Sequence, residues 1–180
     1  MQEIAMSLLD IANNSIKACA KLIKILIRDS QQDNIIHIEI EDDGCGMDEE
    51  TLKKVVDPFY TTRTTRKIGL GIPMFKENVE ATGGTFSIES TLNVGTTIKG
   101  EFVKNHLDTP PMGDLVETIM TLIQYDANID YVIQYVCDEF VFVFNTKEIK
   151  EILDGVPINQ VEIMMWLKDY IKEGMRVWNH

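Results

Sequence analysis

The most constraining feature of this chain is an alternating strand that ends in an acidic residue. From Ile35 to Asp42 the sequence reads I-I-H-I-E-I-E-D. Because successive side chains of a strand point to opposite faces, Ile36, Ile38 and Ile40 share one face. The same alternation places the Asp42 carboxylate on that apolar face. A carboxylate there is costly unless donors satisfy it, so we expect hydrogen bonds to Asp42.

The turn after this strand is D-D-G-C-G-M, residues 42–47. Gly44 and Gly46 lack side chains, so a flat ligand could approach the backbone closely. A base with an exocyclic amine and a flat apolar body would suit such a place. The alternative is an acidic strand-to-helix turn in which Asp48 caps the next helix. These six residues alone favour neither interpretation.

A second feature is a polar stripe on the first helix, predicted over Glu3 to Ala18. Its members recur at helical offsets and are Asp10, Asn13, Asn14 and Lys17. The stripe is either the solvent face of an amphipathic helix or a functional surface. Two adjacent asparagines lower helix propensity, which is easier to understand if an amide has a role. An acid, an amide oxygen and an ammonium on one face could hold a hydrated Mg²⁺ and its phosphates.

The third feature is a basic stretch followed by a glycine turn. Arg63, Arg66 and Lys67 form the one basic cluster of an acidic sequence. Gly69-Leu70-Gly71 then opens a helix predicted over 72–81, whose first backbone N–H groups suit an anion. The basic stretch is either a solvated loop or a mobile lid over phosphates.

The acidic composition limits the kinds of partner that this chain is expected to bind. The net charge is −12 over 180 residues, which argues against nucleic acid or an anionic membrane as the main partner. No apolar run approaches the ~20 residues that cross a bilayer, and no signal peptide is evident. The three scattered cysteines suggest neither a disulfide framework nor a metal site. We therefore predict a cytoplasmic protein.

The remaining pattern divides the chain near residue 105. Strands are predicted over 21–28, 85–90 and 96–103, and Thr96 falls on the apolar face of the last one. The first pairs with the Ile35 strand as a hairpin. A linker at 105–112 contains Thr109-Pro110-Pro111. We predict a first domain over 1–104 and a small α+β segment over 105–180 that carries no recognisable chemistry.

Together these motifs resemble the superfamily of gyrase-type, heat-shock-chaperone, histidine-kinase and MutL-type ATPases. D-I-A-N-N-S-I-K-A resembles its asparagine box and D-D-G-C-G-M its first glycine box. F-Y-T-T resembles its phenylalanine box, and G-L-G-I its second glycine box. The closing strands, G-G-T-F-S-I-E-S-x4-G-T-T-I, are similar to those of histidine-kinase catalytic domains. The resemblance covers about residues 1–103 and implies an α/β two-layer sandwich, with nucleotide between a mixed sheet and its helices.

The resemblance also implies roles for individual residues. Asn14 would ligate Mg²⁺, and Asp42 would accept a hydrogen bond from the adenine amine, with Thr96 supporting Asp42. The adenine ring would lie against Gly44, Gly46 and Met47. Phosphates would be bound by Lys17 and by Gly69, Leu70 and Gly71. The basic cluster itself, Arg63, Arg66 and Lys67, predicts a lid that would also contact them. ATP and Mg²⁺ are therefore the expected cofactors.

Two departures from the family pattern bear on activity. The hydrolytic branch has a glutamate base where this chain has the shorter Asp10. The helical hairpin that carries the phosphoacceptor histidine of histidine kinases is absent from this sequence, so we do not expect self-phosphorylation at that histidine. The leading interpretation is an ATP·Mg²⁺ module that signals to or phosphorylates a separate protein, with residues 105–180 as a candidate contact. The alternatives are a MutL- or gyrase-like hydrolase and a non-enzymatic ATP sensor.

Overall fold

A computed structural model describes residues 2–59 and 69–175. Its helices within those residues are α1 (Ile4–Lys17), α2 (Glu49–Val55), α3 (Gly71–Ala81), α4 (Leu115–Tyr125), α5 (Thr146–Leu153) and α6 (Val161–Met175). Its strands are β1 (Leu22–Ser30), β2 (Ile35–Asp42), β3 (Thr85–Thr91), β4 (Gly95–Val103), β5 (Asp130–Cys137) and β6 (Phe140–Asn145). The helices and strands predicted within these residues are confirmed to within two residues at each end.

The strands form one mixed sheet in the order β3-β4-β2-β1-β5-β6. β1 and β2 pair as the predicted antiparallel hairpin, and β1 pairs with β5 in parallel. The sheet therefore continues without a break from the first half of the chain into the residues after 105. The division near residue 105 stays a prediction, while the α+β character of the later segment is confirmed.

One face of the sheet is buried and the other is open. Alternate residues of the central strands are buried on the helical side, among them Ile25, Ile38 and Ile133. Their neighbours on the other face are partly or fully exposed, as the burial patterns of β1, β2 and β5 show. This is the predicted two-layer arrangement with helices on one face.

α3 packs closely against β4. Phe75 is buried and stacks edge-on against Phe102, with ring centroids 5.7 Å apart. It lies over Gly100, where a Cβ would come 2.5 Å from Phe75 Cζ. The missing side chain at Gly100 therefore lets α3 approach β4 closely.

The start of α1 is held by the connector that follows β4. The first-turn N–H groups of Ile4 and Ala5 donate to the carbonyls of Pro111 and Met112, at 3.0 and 2.9 Å. Glu3, at the N-cap, makes no side-chain capping bond. The connector carbonyls therefore satisfy donors that a helix start otherwise leaves to a capping side chain or water.

Candidate functional site

Asp42 has the hydrogen-bond donors that its position on the apolar face requires. The Ser15 hydroxyl donates to Asp42 Oδ2 at 2.6 Å, and the Gly44 N–H donates to Oδ1 at 2.9 Å. Each carboxylate oxygen can accept a further bond, so the group keeps capacity for a ligand. The sequence interpretation did not select Ser15, which lies among the buried apolar positions of α1. A hydroxyl among apolar helix positions was the signal that could have found it.

The neighbouring acid, Asp43, has a different task. One of its oxygens accepts the backbone N–H groups of Lys21 and Leu22, at 2.7 and 2.9 Å. It thereby fixes the start of β1 beside the end of β2. Of the two adjacent carboxylates, Asp42 faces α1 and Asp43 holds the sheet.

The close packing of the backbone around the turn requires glycine at positions 44 and 46. A Cβ on Gly44 would lie 2.9 Å from Ala18 Cβ. Gly46 has φ +62° and a Cβ there would lie 2.0 Å from the carbonyl oxygen of Thr91. Cys45 adds a hydrogen bond from its N–H to the Ala18 carbonyl, at 2.9 Å. The turn is therefore clamped between the end of α1 and the β3–β4 connection, whatever ligand it binds.

A hydroxyl pair fixes the far end of this turn. The Met47 N–H donates to Ser90 Oγ at 2.8 Å, and Ser90 and Thr96 share a hydroxyl–hydroxyl bond of 2.8 Å. Thr96 lies opposite Asp42 in the β2–β4 register. The structure thus gives Thr96 a contact with Ser90, a residue that the sequence interpretation did not select. Support of Asp42 by Thr96 stays a prediction.

The other end of the site lies where α3 begins beside α1. A Cβ on Gly71 would come 3.0 Å from Asp10 Cβ, so the first turn of α3 touches α1 at Asp10. The Gln2 amide donates to Asp10 Oδ2 at 2.7 Å and orients that carboxylate. At 1.5 Å per residue, Asp10 and Ser15 lie about 8 Å apart along α1. One helix therefore connects the Asp42 turn to the start of α3.

The remaining predicted residues fall in three groups. Asn14 is half-buried and Lys17 exposed on α1, between and beyond those two points. Gly69 and Leu70 are exposed before α3, whose opening N–H groups lack intrahelical partners. Arg63, Arg66 and Lys67 lie outside the described residues. Roles for all of these in phosphate or metal binding stay predictions.

No group of three or more His, Cys, Asp or Glu side chains within the described ranges could hold a metal ion. Asn14 is the one metal ligand predicted from the sequence. Mg²⁺ commonly takes one or two protein ligands, with water and substrate phosphates completing its shell. A single amide oxygen fits that mode of binding and would not fit a site built from protein ligands alone.

Asp48 begins α2 as the sequence predicts. Its carboxylate accepts the Thr51 N–H at 2.8 Å. Hydrogen bonding by Thr51, first through its side chain and then through this N–H, lowers the pKa of Asp48 below its ordinary value. The capping interpretation of the turn is therefore confirmed, and it coexists with the Asp42 arrangement.

Comparison with known protein families gives a match for the part of the chain that contains this site. A family model described as histidine kinase-, DNA gyrase B-, and HSP90-like ATPase matches residues 2–110. The chain belongs to this ATPase family. Nucleotide binding is the property that its ATPase domains share, and the mixed sheet with helices on one face is consistent with their fold.

Two curated relatives of this ATPase domain are bacterial kinases. The sensor histidine kinase YvrG of Bacillus subtilis is 34% identical over 99 residues, which is 53% of this chain and 17% of the kinase. The signal transduction histidine-protein kinase AtoS of Escherichia coli is 37% identical over 95 residues, 50% of this chain and 15% of AtoS. The chain thus spans less than a fifth of either kinase.

A solved structure extends the likeness in fold. The Aquifex aeolicus MutL ATPase domain, complexed with ADP, aligns with this chain at a TM-score of 0.53. The alignment covers 86% of this chain and 70% of the MutL chain. Its sequence identity is 12%, so the likeness concerns the fold alone. The structural alignment covers more of this chain than the family model does. No helix in the described parts of this ATPase domain is both long and apolar enough to span a membrane.

Proposed function

We propose that this ATPase-family domain binds ATP·Mg²⁺ and signals to, or phosphorylates, a separate partner protein. The observation that carries the proposal is the Asp42 carboxylate, held by Ser15 and Gly44 while keeping acceptor capacity. An acceptor in a glycine-lined turn suits the adenine amine, with the ring against Gly44, Gly46 and Met47. Thr96 supports this end from the neighbouring strand.

The phosphate end of the nucleotide would lie toward Asp10 and the start of α3. Opening amides of Gly69, Leu70 and Gly71 suit phosphate oxygens, because a helix start carries partial positive charge. Within the described residues the Asn14 amide has no side-chain partner, which leaves its oxygen for Mg²⁺. Lys17 on α1 and the lid residues Arg63, Arg66 and Lys67 would add positive charge.

Kinase-type signalling is supported by YvrG and AtoS, two of the curated relatives, which are histidine kinases. The phosphoacceptor is then proposed to lie on another protein, with residues 105–180 as its contact surface. When bound, ATP·Mg²⁺ supplies the phosphoryl group. The residues of this chain bind and orient the nucleotide, and Asn14 lies on α1 between its adenine and phosphate ends.

A second candidate is hydrolysis of the MutL type. Asp10, oriented by Gln2 and touching the first turn of α3, stands where a carboxylate could order a water. The family to which the chain belongs includes DNA gyrase B-like ATPases, which supports this candidate. A third candidate is an ATP sensor without chemistry, in which occupancy controls partner binding.

One set of measurements separates the three candidates. We expect ATP to raise the melting temperature, Mg²⁺ to raise it further, and labelled phosphate to appear on a protein recovered by ATP-dependent affinity capture. Steady phosphate release that an Asp10→Asn variant abolishes would instead establish hydrolysis. Tight binding without release or transfer would establish a sensor. Absence of any nucleotide-dependent stabilisation would contradict all three.

A further inference from the structure

Two exposed thiols meet where the end of α1 lies against the turn over residues 42–47. Cys19 is the second residue after α1, and Cys45 lies between Gly44 and Gly46 in the turn. Both are free thiols with exposed side chains. They are distant along the chain, so the sequence alone does not indicate that they are neighbours. The fold brings them together.

A backbone hydrogen bond limits the distance between the two cysteines. The Cys45 N–H donates to the Ala18 carbonyl at 2.9 Å, and this carbonyl belongs to the peptide group that leads into Cys19. With standard bond lengths, the Cα atoms of Cys19 and Cys45 are therefore no more than about 7 Å apart. Disulfides join residues whose Cα atoms lie roughly 4.4–6.8 Å apart, and separations above about 7 Å cannot be bridged. The backbone thus permits a disulfide between them.

Hydrogen bonds hold the backbone of both cysteines in place. The Cys19 N–H donates to the Ile16 carbonyl at 3.0 Å, and the Cys45 carbonyl accepts the Asn93 N–H at 2.7 Å. The Cys19 thiol itself makes only a weak contact, 4.0 Å from Sγ to the Lys17 carbonyl oxygen. The proximity of the two residues is therefore a property of the fold, while the thiols stay free to rotate about their side-chain bonds.

Cys19 has a backbone conformation that glycine usually takes. It follows the C-cap residue Ala18, and its φ is +60°. A left-handed residue just after a helix is most often glycine, because a Cβ is disfavoured there. The exposed side chain of Cys19 also contributes nothing to the core. Neither backbone preference nor burial accounts for this cysteine, which leaves the chemistry of its thiol as the property to explain.

We propose that Cys19 and Cys45 form a reversible disulfide when a peroxide oxidises the protein. One thiol gives two electrons to the O–O bond of hydrogen peroxide, which becomes a sulfenic acid on that sulfur and one water. The second thiol then attacks the sulfenic sulfur, forms the S–S bond and releases a second water. Two thiols and one hydrogen peroxide thus give one disulfide and two waters, and a dithiol reductant reverses the reaction.

The disulfide joins α1 covalently to the turn over residues 42–47. The hydrogen bond from Ser15 to Asp42 already links these two elements. Oxidation adds a second, covalent link at the same junction and restrains the turn relative to α1. The redox state of the surroundings would therefore act directly on the candidate site. Formation of the disulfide does not depend on whether this turn binds a nucleotide, so it is tested separately from the proposed function.

Cys137 serves as an internal reference. It pairs with Asp29 near one end of β1, whereas Asp42, at the start of the turn that contains Cys45, pairs with Ile23 near the other end. The length of β1 between those two positions is about 20 Å. Cys137 is therefore out of reach of either exposed cysteine within one molecule.

Peptide mass spectrometry without reduction tests the proposal on the dilute, reduced full chain. After treatment with hydrogen peroxide and blocking of free thiols, we expect the peptide that links Cys19 to Cys45 to exceed every other pairing by about tenfold or more. In concentrated urea all three pairings should appear. Cys137→Ser should leave the linked peptide and its rate of formation unchanged, whereas Cys45→Ser should remove it. Cys19→Ser replaces Cys45→Ser if the latter melts at a much lower temperature.

Hydrogen exchange supplies a readout that needs no variant. The amides of residues 43–47 should exchange more slowly in the oxidised protein, and dithiothreitol should restore the original rates. Sulfinic acid on either cysteine without the linked peptide would overturn the proposal. A linkage that forms only between molecules, and so increases with protein concentration, would overturn it too. The same mixture of pairings in the folded protein as in urea would have the same meaning.

Discussion

At the scale of single residues, the Asp42–Asp43 pair shows how adjacent carboxylates divide their work. Strand alternation sends one toward α1 and the other toward the start of β1. Asp43 receives two backbone N–H groups and serves the sheet. Asp42 receives one hydroxyl and one N–H and retains capacity to accept. The pair therefore supplies its own control for any experiment on base recognition.

Asp42→Asn should lower the affinity for ATP and reduce the preference for ATP over GTP. An amide can present its NH₂ where the carboxylate accepted, so the expected loss is about 1.5–3 kcal/mol, the range for bonds to charged groups. Isothermal titration with ATP and GTP measures both quantities. Asp43→Asn should lower the melting temperature while leaving the ATP/GTP ratio unchanged. Equal binding of ATP and GTP by the unmodified protein would contradict the assignment of Asp42.

Asn14→Ala should remove the part of ATP stabilisation that depends on Mg²⁺. The amide oxygen is the proposed metal ligand, and alanine retains the helix because it has the highest helix propensity. Melting temperatures with ATP alone and with ATP plus Mg²⁺ measure the increment. Asn13→Ala, one position along the same helix, is the matched control. The same Mg²⁺ increment in both variants would show that Asn14 is not the ligand.

At the scale of elements, α6 is positioned by a glycine rather than by a large side chain. A Cβ on Gly174 would lie 2.1 Å from Phe142 Cε2. Gly174→Ala should therefore destabilise the protein by about 1–3 kcal/mol, the usual cost of overpacking, although alanine is ordinarily the better helix former. Urea unfolding measures the change in free energy. Phe142→Leu in the same chain should recover part of the loss, whereas Gly69→Ala, whose Cβ would meet only Gly71 N at 4.0 Å, should cost little.

Burial at the end of β5 lowers the reactivity expected of one of the three cysteines, Cys137. Desolvation, with Asp29 nearby, raises the pKa of Cys137 to about 11. Cys19 and Cys45 are exposed. Since the thiolate is the nucleophile, iodoacetamide at pH 8 should label Cys137 slowest. Peptide mass spectrometry against time measures the three rates. Unfolding in urea should remove the delay, and a delay that persists in urea would mean that the fold is not its cause.

At the scale of the whole molecule, the sheet joins two parts that the sequence separates. β5 lies parallel to β1 along its whole length and turns a strand of the first part into an interior strand. Residues 1–104 alone would expose the edge of β1 and lose the connector carbonyls that hold α1. We expect this fragment to melt well below the full chain in circular dichroism. A fragment as stable as the full chain would establish residues 105–180 as an appendage.

Local features of the fold were predictable from the sequence, and long-range ones were not. Alternation in residues 35–42 predicts both the strand and the inward Asp42, and Asp48 predicts its own capping bond. The β1–β2 hairpin follows from a short polar turn. Nothing local to β5 specifies β1 as its partner, because parallel neighbours are chosen by packing after a long crossover. Ser15 was missed for a related reason: its value depends on Asp42, which is distant in sequence.

The carbonyls of Pro111 and Met112 link the start of α1 to the connector that leads into α4. α1 carries Asp10 and Ser15 at the two ends of the candidate site, and its first N–H groups end on those two connector carbonyls. Gly113 adds to this grip, since a Cβ there would meet Glu3 Oε2. The start of α1 is therefore fixed to the connector. If nucleotide binding tilts α1, the movement would reach the segment that leads into α4 first. The rest of the C-terminal half would move after it.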